Sequence, residues 1–284
     1  MRSSPTVRRR RLAAELRQLR KESGKTREQV SEFVGCSPVT ITRIESAQSA
    51  PRLADTARML ECYGITGERR EILLTLCSEA RKRGWWHQYS GTIPPWFEVY
   101  VGVEGEVSEI RSYQPELVDG RLQTEGYIRA LMLADVDVPT EEELDRRVSL
   151  RMKRQEQFFT GDDGPKMWVV LNEAALRRQV GGPDTMKDQL RHLIEVSRSH
   201  KVVLQVLTYA GGAHPAMDGA FEILRFPDPA DPDIVYVQYR RGSIYLEDPS
   251  DVGAYAELFD HLRARALGPD ESRDLIEHLL GESS

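Results

Sequence analysis

Leu12, Leu16 and Leu19 recur at i, i+4 and i+7 through residues 7–23, a single apolar stripe on an otherwise basic segment, which predicts an amphipathic helix. Gly24 follows as a helix stop. Thr26 has Gln29 three residues on, the pairing of a capping box, and the pattern predicts a second helix over about 27–34 that buries Val30, Phe33 and Val34. Gly35-Cys36 reads as a tight turn. Ser37 is the next cap, and Pro38 takes the first helical position, where a missing N–H costs nothing. A third helix, 38–47, buries Ile41 and Ile44. Two short helices joined by a Gly-containing turn predict a helix-turn-helix. Two more helices follow over about 53–63 and 68–83.

The pattern changes at Gly84-Trp85-Trp86-His87-Gln88-Tyr89-Ser90-Gly91-Thr92-Ile93-Pro94-Pro95-Trp96, where Gly and Pro-Pro mark a non-helical connector holding three of the four tryptophans. These aromatics either dock the connector or wall a ligand pocket. Beyond it the periodicities predict helices over about 96–104 and from the Thr124 cap through Tyr127, Ile128 and Leu131, then a long one over 141–159. Strands are predicted over 108–114, 168–171 and 202–209, interleaved with helices over 172–180 and 183–200. An antiparallel run over 219–226, 234–239 and 243–247 precedes two helices, 250–266 and 269–280. The predicted fold is an all-α N-terminal helix-turn-helix domain (8–83), an aromatic/Pro linker (84–95) and an α+β C-terminal domain (96–280) with helices packed on a mostly antiparallel sheet.

Charge adds a functional direction. The 284 residues carry a net charge of −6, but residues 1–83 hold 18 Lys/Arg against 10 Asp/Glu, and residues 84–284 hold 21 against 35. A head of +8 on a body of −14 suggests polyanion binding by the head; chance clustering of surface charge is the plainer alternative. With 40% hydrophobic and 30% charged residues the chain is of the folded class. Cys36, Cys62 and Cys77 have no ligand spacing, no apolar run approaches 18 residues, and the basic N-terminal segment lacks a signal peptide's apolar stretch. The expectation is a cytoplasmic protein without membrane contact.

The run Leu19-Arg20-Lys21-Glu22-Ser23-Gly24-Lys25-Thr26-Arg27-Glu28-Gln29-Val30, followed by Ser37-Pro38-Val39-Thr40-Ile41-Thr42-Arg43-Ile44-Glu45, resembles the lambda-repressor-like (XRE-type) DNA-binding domain over about residues 8–66. The resemblance implies a DNA-binding set of Arg27, Ser37, Pro38, Val39, Thr40, Thr42 and Arg43. Arg27, where the family usually has Gln, stands in reach of a phosphate at the start of helix two. Pro38, Val39 and Arg43 face base edges. Arg43 suits a bidentate contact to guanine, and Val39 suits a thymine methyl. Thr40 and Thr42 either contact phosphate or base or are plain solvated positions, and Arg43 in the bland reading is a surface ion-pair partner. Arg20 and Glu45 match a pair that bridges helices one and three. Ala47 replaces the usual Gly after helix three, which implies a less sharply turned exit. The Arg8–Arg11 run is either a solvated helix start or an arm tracking the DNA backbone.

The body has markers of its own: residues 120–127, Arg151-Met152-Lys153-Arg154-Gln155, residues 171–177, 180–183, Met186-Lys187-Asp188-Gln189-Leu190, Gly212-Ala213-His214-Pro215, residues 221–226, 235–236 and 259–263. Over about 95–280 it resembles the domain attached to XRE heads in many actinobacterial regulators, the antitoxin-like, WhiJ-type group. Arg121 departs from the usual apolar residue before Leu122. The resemblance implies transcriptional regulation, often beside a gene for a small partner protein, and assigns no ligand or chemistry.

No enzyme constellation holds. Gly24-Lys25-Thr26 imitates the end of a P-loop, but Leu19 stands where the first glycine is needed. His214 in its Gly-rich loop reads as structural, Glu173 as a helix cap, and the Arg146–Arg154 cluster as a solvated face or a partner surface. No catalytic, cofactor or metal residue is expected. The leading expectation is a sequence-specific regulator that binds operator DNA as a homodimer through a body that senses a signal or holds a partner. The alternatives are an antitoxin-like module gripping a small protein and autoregulating its operon, and an enzyme body fused to a DNA head.

Overall fold

The computed structural model describes residues 5–81, 91, 94–160, 164–229 and 231–282. Most of the expected linker, including Trp85 and Trp86, lies outside the described residues. The chain divides into two units. One holds α1 (Pro5–Glu22), α2 (Arg27–Val34), α3 (Pro38–Glu45), α4 (Leu53–Cys62) and α5 (Gly67–Ala80), with residues Glu98–Glu106 of α6 (Pro95–Glu104) and its exit. The other, from Val107 onward, is a six-stranded sheet with helices.

In the head the leucine stripe does what its spacing dictates. Leu12, Leu16 and Leu19 are buried with Val30, Val34, Ile41, Ile44, Met59, Leu60, Leu73 and Cys77 in one core. Each fully buried leucine stabilises the fold by about 2 kcal/mol. Phe33 does not join them. It is 42% exposed, with the Arg58 guanidinium 5.9 Å from its ring centroid. The exit of α3 also corrects the sequence reading. Ala47 adopts φ +56°, the left-handed conformation usual for Gly, so the turn is as sharp as with glycine and α3 ends at Glu45. The backbone N–H groups of Gln48 and Ser49 both reach the Arg43 carbonyl, holding the turn against a strain of about 1–2 kcal/mol.

The body's strands are β1 (Glu109–Gln114), β2 (Lys166–Asn172), β3 (Val202–Leu207), β4 (Phe221–Arg225), β5 (Ile234–Tyr239) and β6 (Gly242–Leu246), in the order β3-β2-β1-β4-β5-β6. Three of the five pairings are antiparallel, and β1, β2 and β3 run parallel. Parallel neighbours need long crossovers. Helices α7 (Glu125–Leu133) and α8 (Glu141–Phe159) connect β1 to β2; α9 (Glu173–Arg177) and α10 (Pro183–Ser197) connect β2 to β3. Tyr113, Val170, Phe221, Ile223 and Val235 form a core with Phe259 and Leu262 of α11 (Pro249–Arg265), and α12 (Pro269–Glu282) packs beside β3 and α10. Phe221 pairs with Tyr113, so the segment 208–220 returns from the end of β3 to the carboxyl end of β1.

Within the loop between β1 and α7, Val118, Asp119, Arg121, Leu122 and Gln123 are buried, and buried backbone must find partners. Side chains of α8 and α10 supply them. Gln155 donates to the carbonyls of Gly120 and Gln123 (2.8 Å each). Gln189 donates to the Leu122 carbonyl (2.7 Å) and accepts from the Thr124 N–H (2.8 Å). Arg151 donates to the side-chain oxygen of Gln123 (2.9 Å), not to the backbone. Arg121, the departure from the family's apolar residue, is 2% exposed rather than misfitted. Its guanidinium meets both Asp119 oxygens (2.7 and 2.9 Å) and Glu222 on β4 (2.5 Å), and Asp119 accepts from Ser112 (2.7 Å). The basic cluster of α8 therefore divides: Arg146 pairs with Glu142 and Lys153 with Glu156 in solvent, while Arg151 and Arg154 turn inward, Arg154 onto the Phe97 ring at 4.8 Å.

Burial alone would raise the Asp119 carboxyl, but Arg121 and the Arg121 N–H and Ser112 bonds more than offset it and hold it below the ordinary carboxylate range. A depressed folded-state pKa stabilises fully above the unfolded value, near 4, and that stability is lost as pH falls through the folded value. Asp119→Asn, which strands part of the Arg121 charge, is expected to cost about 3–5 kcal/mol at pH 7 and to remove this share of the acid limb. Urea denaturation of the full chain from pH 7 to pH 2 checks both; an unchanged acid limb contradicts the assignment.

Candidate nucleic-acid interface

The helix-turn-helix is set by two caps and a glycine. Thr26 accepts from the Gln29 N–H (3.2 Å), and the Gln29 side chain accepts from the Thr26 N–H (2.9 Å), completing the capping box of α2. Gly35 closes α2 at φ +80°, with its N–H on the Ser31 carbonyl (2.9 Å). Ser37 accepts from the Thr40 N–H (3.2 Å) and starts α3, with Pro38 in its first turn.

At 100° per residue, Ile41 and Ile44 point into the core, and Val39, Thr42 and Arg43 share the opposite face. Pro38, Thr42 and Arg43 are exposed and Val39 is 65% exposed, a large apolar side chain held in water at the middle of that face. Arg43 has no carboxylate partner among the described residues, so the surface-ion-pair reading has no support in the geometry. The hydroxyls are more occupied. Ser37 and Thr40 share a bond (2.9 Å) that serves the cap, and Thr42 donates to the Pro38 carbonyl (3.1 Å), leaving its methyl and lone pairs outward.

Behind this face lies a clamp. The Glu45 side chain is 1% exposed and binds two arginines: Arg20 through Nε (2.6 Å) and Nη2 (3.2 Å), and Arg27 through Nε (3.0 Å). The Arg20–Glu45 bridge between α1 and α3 is present, and the Glu45 hydrogen bond raises the Arg20 pKa against the opposing effect of burial. Arg27, at the start of α2, is paired with Glu45 rather than unpaired. Its Nε is tied to Glu45, and its side chain is 40% exposed. One cation escaped the sequence reading: Arg58 of α4 donates to the Phe33 carbonyl (2.6 Å), placing its charge at the turn between α2 and α3. A contact across 25 residues leaves no local signal. Of the Arg8–Arg11 run, Arg8 pairs with Glu79 on α5.

The body has its own polar cluster at the carboxyl ends of the parallel strands. The Tyr113 hydroxyl lies 3.2 Å from His214 Nε2, and His214 Nδ1 is enclosed with no hydrogen-bond partner among the described residues. Burial and the nearby Arg265 lower the His214 pKa. Glu173 does not cap α9. Asn172 does, accepting from the Ala174 N–H (3.0 Å), while Glu173 accepts from the Tyr209 N–H (2.9 Å) and pairs with Arg177 (2.5 Å). Among the described residues no group of three or more His, Cys, Asp or Glu could hold a metal ion.

Residues 11–73 match a helix-turn-helix domain, a DNA-binding module, and residues 97–278 match a domain of unknown function, DUF5753. No curated protein and no solved structure matches the chain.

Arg43→Ala is expected to cost about 1–3 kcal/mol of affinity for a cognate duplex and to relax discrimination at one base pair. Because Arg43 makes no side-chain contact that holds the fold, the melting temperature stays at the parent value. Titration of duplexes varied at each position, beside a thermal melt, measures both; unchanged affinity and discrimination would show that another residue reads the base.

Proposed function

The chain belongs to the DUF5753 family and joins that domain to a helix-turn-helix head, and from that premise we propose that it is a sequence-specific transcriptional regulator whose head reads operator DNA with α3. One observation carries the reading: a doubly capped α2–turn–α3 unit presents Val39, Thr42 and an ion-pair-free Arg43 on one exposed face, backed by a buried Glu45 clamp. The charge division supports it. A head of +8 attracts phosphates, and a body of −14 opposes loose contact elsewhere.

The proposal extends to assembly and place. One helix-turn-helix reads a short half-site, so the regulator acts as a homodimer spanning half-sites about one helical turn apart. The body mediates dimerisation and holds a signal or a small partner protein, binding rather than catalysing. The head is of the lambda-repressor-like XRE type and the body of the antitoxin-like, WhiJ-type group of actinobacterial regulators, as the residue patterns suggest. The protein works in the cytoplasm; no helix among the described residues is long and apolar enough to cross a membrane.

Binding of the purified protein to a duplex of its own upstream DNA, with excess nonspecific DNA at two salt concentrations, tests the proposal. Retention against competitor is expected, with affinity falling as salt rises. Binding that disappears with competitor reduces the interaction to phosphate attraction and overturns the operator reading. Specific retention that requires an added neighbouring gene product moves the function to the antitoxin-like alternative.

A further inference from the structure

A chain of hydrogen bonds at the end of the parallel strands stops one step short. The Ala174 N–H donates to the Asn172 side-chain oxygen (3.0 Å), which leaves the Asn172 amide nitrogen for other partners. The same side chain hydrogen-bonds the Tyr113 phenol, which burial keeps protonated by raising its pKa. An amide nitrogen donates, so the phenol oxygen accepts from Asn172, and its own hydrogen is left for His214 Nε2, 3.2 Å away. Burial and Arg265 both lower the His214 pKa, which favours the neutral ring at pH 7. A neutral imidazole that accepts at Nε2 carries its hydrogen on Nδ1. That Nδ1–H is enclosed and has no acceptor among the described residues. Enclosed donors without acceptors are rare in native proteins.

A second unmatched donor lies on the same loop. Arg265, at the end of α11, donates to the Gly211 carbonyl (3.1 Å), close in sequence to His214, and makes no ion pair among the described residues. Glu173, a buried carboxylate at this end of the sheet, is engaged by the Tyr209 N–H and by Arg177. Position points the same way. Open sheets with parallel strands take small molecules outside the carboxyl ends of those strands. The segment 208–220, which carries His214, crosses from β3 to β4 past the carboxyl end of β1. Its residues 211–213 are exposed, and Gly212 turns at φ +68°.

We infer that His214 and Arg265 bind the carboxylate group of a small organic acid, and that this acid is the signal the body receives. One carboxylate oxygen accepts from the His214 Nδ1–H and the other from the Arg265 guanidinium, a charge-assisted bond. The ligand thus supplies the acceptor that the imidazole lacks and the negative charge that the arginine lacks. Because Nδ1 is shielded from solvent, the acid enters as the exposed run 211–213 moves aside and is held when it returns. Tyr113 and Asn172 are positioning residues. They hold the imidazole in its donating tautomer, the role that the hydrogen bond at the opposite ring nitrogen sets in histidine sites generally.

This inference rests on the reading that the body holds a signal, and names the chemistry of that signal. NMR of the full chain with nitrogen-15-labelled histidine at pH 7 tests it. The His214 signals are those lost in His214→Gln, and the probes are acetate and benzoate as carboxylates and phosphate as the other oxyanion. The expected results are an Nδ1-protonated His214 in the free chain and a saturable shift of its Nδ1 signal with a carboxylate. Arg265→Met, checked for a parental thermal melt, is expected to raise the dissociation constant about tenfold. Tyr113→Phe is expected to mix the two tautomers and weaken binding. An Nε2-protonated His214 in the free chain, signals that neither carboxylate moves, or an Arg265→Met constant equal to the parent's overturns the inference. Phosphate binding tighter than both carboxylates overturns its ligand class. Operator retention is measured apart on the parent, so failure of the regulator reading and failure of this site are separate results.

Discussion

The head depends on one buried carboxylate. Glu45 sits at the end of α3 with almost no exposure, and an ion so placed is tolerated only when its oxygens are matched. Arg20 from α1 and Arg27 from α2 match them. Three helices therefore converge on one point, and the angle of α3 to its scaffold is fixed from behind, leaving its front face clear of intramolecular demands. Val39 is exposed there, and Arg43 has no carboxylate partner among the described residues. The left-handed Ala47 belongs to the same device, since the backbone turns immediately after the clamp instead of continuing the helix over the core.

The body solves a different problem. Its β1–α7 loop enters the interior over residues 118–123, where unmatched carbonyls and N–H groups are expensive. Gln155 and Gln189 reach in from two helices to satisfy them, Arg151 holds the Gln123 side chain, and the Asp119–Arg121–Glu222 group ties the loop to β1 and β4. The body's short sequence markers at 120–127, 151–155 and 186–190 are thus largely one hydrogen-bonded assembly. It positions the carboxyl end of β1, where Tyr113 meets His214.

Local chemistry was legible in the sequence wherever the cause was local. The caps at Thr26, Ser37, Thr124 and Thr140 act on residues within three positions, and the leucine stripe of α1 needs only helical spacing; of these, the Thr140 cap alone was overlooked. Long-range causes were not legible. Phe33 fits the apolar pattern of α2 yet lies outside the core. Arg58 reaches the α2–α3 turn across 25 residues, and Arg27 pairs with Glu45 from another helix. Arg121 looked like a misfit because its two carboxylate partners include one 101 residues away. Alternation of strands and helices hinted at the parallel half of the sheet, but periodicity along single strands does not state their direction. Ala47 was misjudged because composition suggests what a turn prefers, while the surrounding bonds decide what it adopts.

The central claim is that α3, held by Glu45, is the surface that meets DNA. Hydrogen–deuterium exchange of the full chain with and without a specifically bound duplex tests it most directly, since amide protection reports each segment separately. The account predicts slowed exchange in peptides covering residues 26–30 and 37–45, with the β1–α7 loop and the sheet core unchanged. Protection confined to the body, with residues 37–45 exchanging as in the free protein, would contradict it.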